Sequence, residues 1–288
     1  MLENEYPICI HAYECASYSD QDCFAGRSGD GHEISVHGTP IADSNLQRLL
    51  IETTGCRDIS EFKKRLIGNQ PVIDCDKSIL YLDIHNGIAK YVAITMQLNS
   101  VDLDYAGRLQ RKLFPSDKVV EHEFFMLEES YRKNGYGSIL YQSQEEAWRA
   151  AGYERVELLA GKELGGYVWA INGYDYSGPK GASDRTRHIQ SIQSDLYNFR
   201  GGDYLEQDAY DKLSYAASKL VYPWQVAFFS IPDRVLRREG LSSASLQIGK
   251  RALKKYEWSG YKILSDNWHG NYIANQTRIH RIRITDRK

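Results

Sequence analysis

The segment Arg132-Lys133-Asn134-Gly135-Tyr136-Gly137 has the composition of a turn that holds an anion. Gly135 and Gly137 let the main chain approach a bound group closely and take a positive φ where needed. A helix is predicted from residue 138 to about 151, stopped by Gly152. Its start would offer unpaired N–H groups and a positive dipole end at the turn. Phosphate suits such a helix start without any charged side chain. Ser138 would cap the helix or touch the phosphate. Upstream of Arg132 stands the cluster Glu121-His122-Glu123. A carboxylate there could take a proton from an attacking nucleophile. Strand alternation puts Glu121, Glu123, Phe125 and Leu127 on one face, with His122, Phe124 and Met126 on the other. Burial beside Phe125 would raise the carboxylate's pKa toward the working range. Glu121, Glu123 and His122 are the candidate bases. The plain alternative is a polar strand entrance.

These residues need a scaffold, and the surrounding pattern supplies one. Residues 119–127 read as a strand that leads through the glycine turn into the helix. A short strand at 155–159 and a second helix through 167–171, ending at Gly173, follow. This β–α–β–α order implies parallel strand neighbours. Upstream, 78–85 and 89–98 read as strands joined across Asn86-Gly87, a hairpin signal. Residues 44–67 read as two helices stopped by Gly55 and Gly68. The stretch 108–118 reads as a polar connection. Beyond a loop at 177–181, residues 184–230 read as largely helical, with a run near 207–220. Within them 222–229 reads as a strand. Residues 249–264 read as one basic amphipathic helix, and 277–285 alternates like a closing strand. The expected fold class is α/β (α+β) with a mixed central sheet. Its parts would be an N-terminal loop and helical region (1–74), a core (75–180) and a C-terminal helical and β elaboration (181–288).

The strand, the R-x-x-G-x-G turn and the following α–β–α resemble the core of the GNAT (GCN5-related N-acetyltransferase) superfamily over residues 119–176, with looser support back to about residue 75. The resemblance implies that Arg132, Gly135 and Gly137 belong to the turn that holds the pyrophosphate of acyl-CoA, with Lys133, Asn134, Tyr136 and Ser138 around it. It implies that the strand carrying Phe125 and Leu127 contacts the pantetheine arm through its backbone. It places a catalytic glutamate eleven residues before Arg132, at Glu121, which makes Glu121 the first choice for the base, Glu123 the second and His122 the third. The implied activity is N-acyl transfer from acyl-CoA or an acyl carrier protein to an amine, with acyl-CoA as co-substrate and no metal. The family's helix tyrosine, which serves as general acid, falls on Trp169. Tryptophan cannot protonate a thiolate, so either the nearby Tyr167 serves through a shifted helix or no acid is needed. Lys162 stands where the family commonly has Asn. Gly165-Gly166 would allow either a close approach of acyl-CoA or tight packing of the helix. The element Gly165-Gly166-Tyr167-Val168-Trp169-Ala170-Ile171-Asn172-Gly173-Tyr174-Asp175 is similar to one in divergent GNAT-like proteins of bacterial natural-product clusters. Some of those attach fatty acyl groups to Lys or ornithine side chains of ribosomal peptides. The C-terminal third would then bind a precursor peptide, and Phe228, Phe229 and Leu236 could wall an acyl chain or simply be core.

Composition narrows the alternatives. The 288 residues carry a net charge of −2, which gives no global case for nucleic-acid binding. The charge is unevenly spread. Residues 233–288 hold thirteen Lys and Arg against five Asp and Glu, a local +8 that leaves −10 elsewhere. That asymmetry suits an acidic partner such as a peptide leader, or else solvated faces. The basic run Arg278, His280, Arg281, Arg283 keeps an RNA-directed acetyltransferase open as a reading, and the missing helix tyrosine keeps a non-catalytic binding module open. The 21 tyrosines against 8 phenylalanines suit binding clefts, though core margins account for most. The five cysteines form no C-x-x-C pair, and Cys9, His11, Cys15 and Cys23 fit no usual zinc spacing. No G-x-S-x-G elbow and no G-x-x-x-x-G-K-[ST] loop occurs. Neither a signal peptide nor a membrane span is apparent, so a soluble cytoplasmic protein is expected.

Overall fold

A computed structural model describes residues 23–27, 33–38, 43–68, 73–85, 88–100, 102, 104–132, 134–162, 165–237, 241–271 and 273. The chain divides into two compact units. One comprises Met1–Lys118 with Phe124–Gly152, and the other Val119–Glu123 with Tyr153–Lys288. Each has a mixed sheet covered by helices, so the fold class is α/β as expected.

In the first unit, β1 (Cys23–Arg27) runs antiparallel to β2 (Glu33–Gly38), which is parallel to β3 (Ile73–His85). Strands β3, β4 (Ile88–Ser100) and β5 (Tyr105–Phe114) follow as an antiparallel meander. The ladder β3/β4 closes at His85 and Ile88, flanking the Asn86-Gly87 turn read from sequence. That turn itself lies outside the described residues. Helices α1 (Asp43–Thr54) and α2 (Ile59–Ile67) stop at Gly55 and Gly68, whose φ angles are 67° and 73°. Asp58 caps α2 by accepting from the Glu61 N–H at 2.7 Å. Its buried face sets Phe62 edge-on to Trp148 of α3 (Tyr136–Ala150), with ring centroids 5.7 Å apart.

Residues 108–118 are not simply a polar connection, because β5 occupies most of them. Its core-facing positions are Leu109, Arg111 and Leu113, all buried. An arginine at an inward position breaks the apolar alternation that marks a strand in sequence.

The second unit begins with the first five residues of β6 (Val119–Leu127), whose ladder with the parallel strand β7 (Arg155–Ala160) runs from Val119 to His122. Strand β9 (Trp258–Ile263) lies antiparallel on the other side of β7. The two-residue β8 (Asp175–Tyr176) pairs with β9. Around this sheet stand α4 (Gly165–Ile171), α5 (Gly178–Gly201), α6 (Gln207–Ser218), α7 (Pro223–Phe228), α8 (Ser243–Leu246) and α9 (Ile248–Lys255). Close backbone packing joins them. A Cβ at Gly166 of α4 would strike the Leu253 carbonyl of α9, and one at Gly249 of α9 would strike the Val226 carbonyl of α7. Gly166 therefore serves helix packing.

Two sequence expectations fail here. Residues 222–229 form a helix, not a strand. Pro223 sits in its first turn, where the missing N–H costs nothing, and Gln225 Oε1 accepts from the Val221 and Tyr222 N–H groups at 2.7 and 3.0 Å. Residues 249–264 are not one helix. The chain leaves α9 at Lys255 and continues as β9, with Trp258, Gly260 and Lys262 buried on alternate positions. Pairing with β7 supplies a ladder that local helix propensity cannot match. The closing stretch 277–285 lies outside the described residues.

Candidate functional site

In the first unit the glycine turn connects β6 to α3 through a single helical turn at Glu129–Tyr131. Gly135 is the N-cap of α3, with φ 83° and ψ −11°, a left-handed conformation that an L side chain adopts only with strain. Among the described residues no side chain caps α3, and nothing lies within 4 Å of a Cβ built at Gly135. An uncapped helix start facing open space has the geometry of an anion cradle. Gly137 differs. Its Cβ would rest 3.6 Å from both Leu127 Cδ1 and Phe125 Cε1, an ordinary contact.

The neighbouring side chains fix the turn. Arg132 Nε donates to the Leu127 carbonyl at 2.6 Å, so this arginine ties the strand end to the turn. Asn134 Nδ2 donates to the Ser130 carbonyl at 3.3 Å. The Tyr136 ring lies 6.4 Å from that of Tyr131. Phe125 and Ser138 are half-buried and Leu127 is buried. Lys133 lies outside the described residues. The first unit thus brings together Phe125, Leu127, Arg132, Asn134, Gly135, Tyr136, Gly137 and Ser138.

The second unit holds the residues read as acid and base. Glu121 and Glu123 are exposed, not buried beside Phe125 as the sequence suggested. His122, third choice for the base, points the other way and is 4% exposed. Its ring meets Trp169 of α4 edge-on, with centroids 5.7 Å apart, and Trp169 in turn meets the buried Tyr174 at 5.3 Å. Trp169 is therefore a packing residue between strand and helix. Tyr167 is half-buried, and the Lys250 ammonium stands 4.7 Å from its ring centroid.

Strand register shows how these groups are arranged. Glu121 pairs with Glu157, Glu157 with Tyr261, and Tyr261 with Asp175. Directly paired residues share a sheet face, so these four form one row. The adjacent row is His122, Leu158 and Gly260, on the opposite face. Trp169 covers His122, and Trp258 Nε1 donates to the Gly166 carbonyl at 3.2 Å, so α4 lies over that second face. Tyr167 therefore belongs to the layer opposite Glu121. The phenol that shares the Glu121 face is Tyr261, two strands away, or roughly 10 Å at the usual strand spacing. Sequence reading missed it because WSGYKI was absorbed into a helix. Its alternation was the available signal.

Electrostatics distinguish this row. Burial raises the Asp175 carboxyl, opposed by the Tyr176 N–H and by His269, whose Nε2 lies 3.4 Å away. Burial, then the charges of Asp175 and Tyr222, raise the Tyr261 phenol. Among the described residues no group of three His, Cys, Asp or Glu side chains could hold a metal ion. Cys9, His11 and Cys15 lie outside them. No described helix is long and apolar enough to cross a membrane.

Neither a protein-family model nor a curated protein sequence matches the chain. Solved structures do. One is described as an acyl-CoA N-acyltransferase from Klebsiella pneumoniae, with 16% identity over 31% of this chain and 60% of its own, at TM-score 0.27. An acetyltransferase from Bacillus cereus gives 16% identity over 33% of this chain and 67% of its own, at TM-score 0.28. A GNAT family acetyltransferase from Elizabethkingia anophelis, with acetyl-CoA bound, gives 12% identity over 54% of this chain and 76% of its own, at TM-score 0.26. The chain spans about three fifths of the length of the Klebsiella protein.

Proposed function

We propose that the chain is an N-acyltransferase that moves an acyl group from acyl-CoA, or from an acyl carrier protein, to an amine. The observation that carries this reading is the uncapped, open helix start at Gly135, behind a strand whose end is tied down by Arg132. The pyrophosphate would sit on the first N–H groups of α3, near Ser138, with Lys133 and Asn134 beside it. The pantetheine arm would run along β6 at Phe125 and Leu127. Residues 75–180 would form the acyl-CoA-binding core and 181–288 the acceptor side.

The chemistry needs few groups. A neutral amine attacks the thioester carbon, a C–N bond forms, and the carbonyl electron pair moves to oxygen. When that pair returns, the C–S bond breaks and the thiolate leaves. The proton released from nitrogen passes to Glu121, directly or through water, with Glu123 as the nearest substitute. An exposed carboxylate suits relay through water better than direct abstraction. An alkyl thiolate, with a pKa of about 8.5, leaves without an obligatory acid. That removes the demand on Tyr167. The favoured acceptor is a Lys or ornithine side chain of a ribosomal peptide, whose leader the basic C-terminal region would bind.

The test is calorimetry with coenzyme A, acetyl-CoA and longer acyl-CoAs, followed by thioester turnover against an amine and peptide panel. Binding of none of these thioesters would end the proposal. A second reading, a non-catalytic acyl-CoA-binding module, draws on Trp169 at the expected tyrosine position and on Tyr167 lying opposite Glu121. Turnover that falls in Glu121→Gln argues against it. Binding without turnover of any acceptor supports it.

A further inference from the structure

Arg111 occupies a core position of β5 between inward-facing leucines and is 1% exposed. A buried guanidinium is tolerated only where its N–H groups find acceptors. Nε donates to Gln144 Oε1 of α3 at 2.9 Å. Nη1 donates to its neighbour's carbonyl, Gln110, at 2.7 Å and to the Phe124 carbonyl of β6 at 2.6 Å. Its Cζ also lies 5.8 Å from the Phe125 ring centroid, and that ring borders Gly137 of the glycine turn. All of these groups belong to the first unit.

The Phe124 carbonyl and the Phe125 N–H are two ends of one planar trans peptide and point in opposite directions. The Glu128 N–H donates to the Ala106 carbonyl at 2.9 Å, and a Cβ at Gly107 would strike the Met126 carbonyl. The main-chain groups of Phe124, Met126 and Glu128 thus face β5. Alternation turns the Phe125 N–H to the other edge, together with the Leu127 carbonyl that Arg132 takes. A cation hydrogen-bonded to a peptide oxygen draws electron density from the nitrogen and strengthens its N–H as a donor.

We propose that Arg111 is a positioning residue: it holds and polarises the Phe124–Phe125 peptide, so that the Phe125 N–H donates to the thioester carbonyl oxygen of bound acyl-CoA. This rests on the acyl-CoA reading above. The N–H gives up no proton. It stabilises the negative charge that reaches oxygen as the amine attacks, and Arg111 acts through it without touching substrate.

The test is isotope-edited infrared spectroscopy of ¹³C-carbonyl acetyl-CoA and octanoyl-CoA bound to wild type, Arg111→Lys and Arg111→Gln. Glutamine keeps donors but removes the charge. Lysine keeps the charge but offers a single nitrogen where arginine uses two, Nε to Gln144 and Nη1 to both carbonyls. The bound carbonyl should absorb below its free frequency in wild type, less so in Arg111→Lys, and least in Arg111→Gln. With an accepted amine, kcat should fall about tenfold in Arg111→Gln while KM for acyl-CoA changes less than about threefold, since loss of a whole oxyanion donor costs more. An equal carbonyl frequency and equal kcat in all three proteins overturns the proposal. If Arg111→Gln does not fold, Arg111→Lys decides: wild-type frequency and kcat there overturn it as well. Failure of wild type to bind any acyl-CoA is a different result, because it overturns the reading on which the proposal rests.

Discussion

Replacing Gly135 by Asp should separate binding from stability by pushing them in different directions. The left-handed backbone at Gly135 costs an L residue about 1–2 kcal/mol, least for Asp and Asn. An acidic side chain at the start of α3 returns about 0.3–1 kcal/mol through the helix dipole. Space poses no further cost, because nothing lies within 4 Å of the new Cβ. The net loss should stay near 1 kcal/mol, a melting shift of about 2–4 °C for a chain of this size. Coenzyme A affinity should respond much more. A carboxylate about 5 Å from a pyrophosphate charge is repelled by about 3 kcal/mol at an effective dielectric of 20. Solvent at this exposed turn screens part of that, leaving at least about 1.4 kcal/mol, or tenfold in Kd. Calorimetric titration of coenzyme A, with thermal melts of the free proteins, reads both quantities. A Gly135→Asp protein that melts near wild type and binds within threefold of it would refute the assignment of this turn to pyrophosphate.

Three further outcomes follow from other positions. Gly107→Ala should cost at least about 2 kcal/mol in urea unfolding, since the added methyl meets the Met126 carbonyl and lies 3.0 Å from Leu127 Cα at a φ of 158°. By contrast Gly137→Ala should hold or raise stability, by up to about 1 kcal/mol, because its methyl makes only 3.6 Å contacts and alanine favours a helix. The third outcome concerns His188, which is fully buried, accepts or donates at 2.9 Å with the Tyr176 hydroxyl, and is held by burial down to about 4. A depressed folded pKa means that the unfolded chain takes up the proton first as pH falls below about 6.5. Stability should then fall from pH 6.5 toward 4 by about 3 kcal/mol in all, read by urea unfolding at successive pH values. His188→Gln should flatten that slope, and an unchanged slope would show that other groups cause it.

Local chemistry made much of this molecule legible. The strand at 119–127, the glycine turn, the helix after it and the parallel strand at 155–160 all stand where periodicity and glycine stops put them. So do α1 and α2, because Gly55 and Gly68 carry the positive φ that ends a helix. The errors have two causes. Strand β5 carries Arg111 inward, and β9 follows a basic helix without a glycine or proline between them, so in both a partner strand distant in sequence overrode the local preference. The 222–229 segment is rich in residues that also suit strands, and there Pro223 and the Gln225 side chain settle the helix locally.

Sequence by itself determined the residue types of the turn and the alternation of β6, since both depend on neighbours within a few positions. It could not say which face α4 covers, and therefore could not show that Tyr167 lies opposite Glu121 while Tyr261 shares its row. It also left Arg111 as an ordinary charge in a polar stretch. Only packing revealed that its guanidinium is buried against the Phe124 carbonyl. Register and burial are set by contacts between segments far apart in the chain, and a side chain's chemistry follows from those contacts as much as from its type.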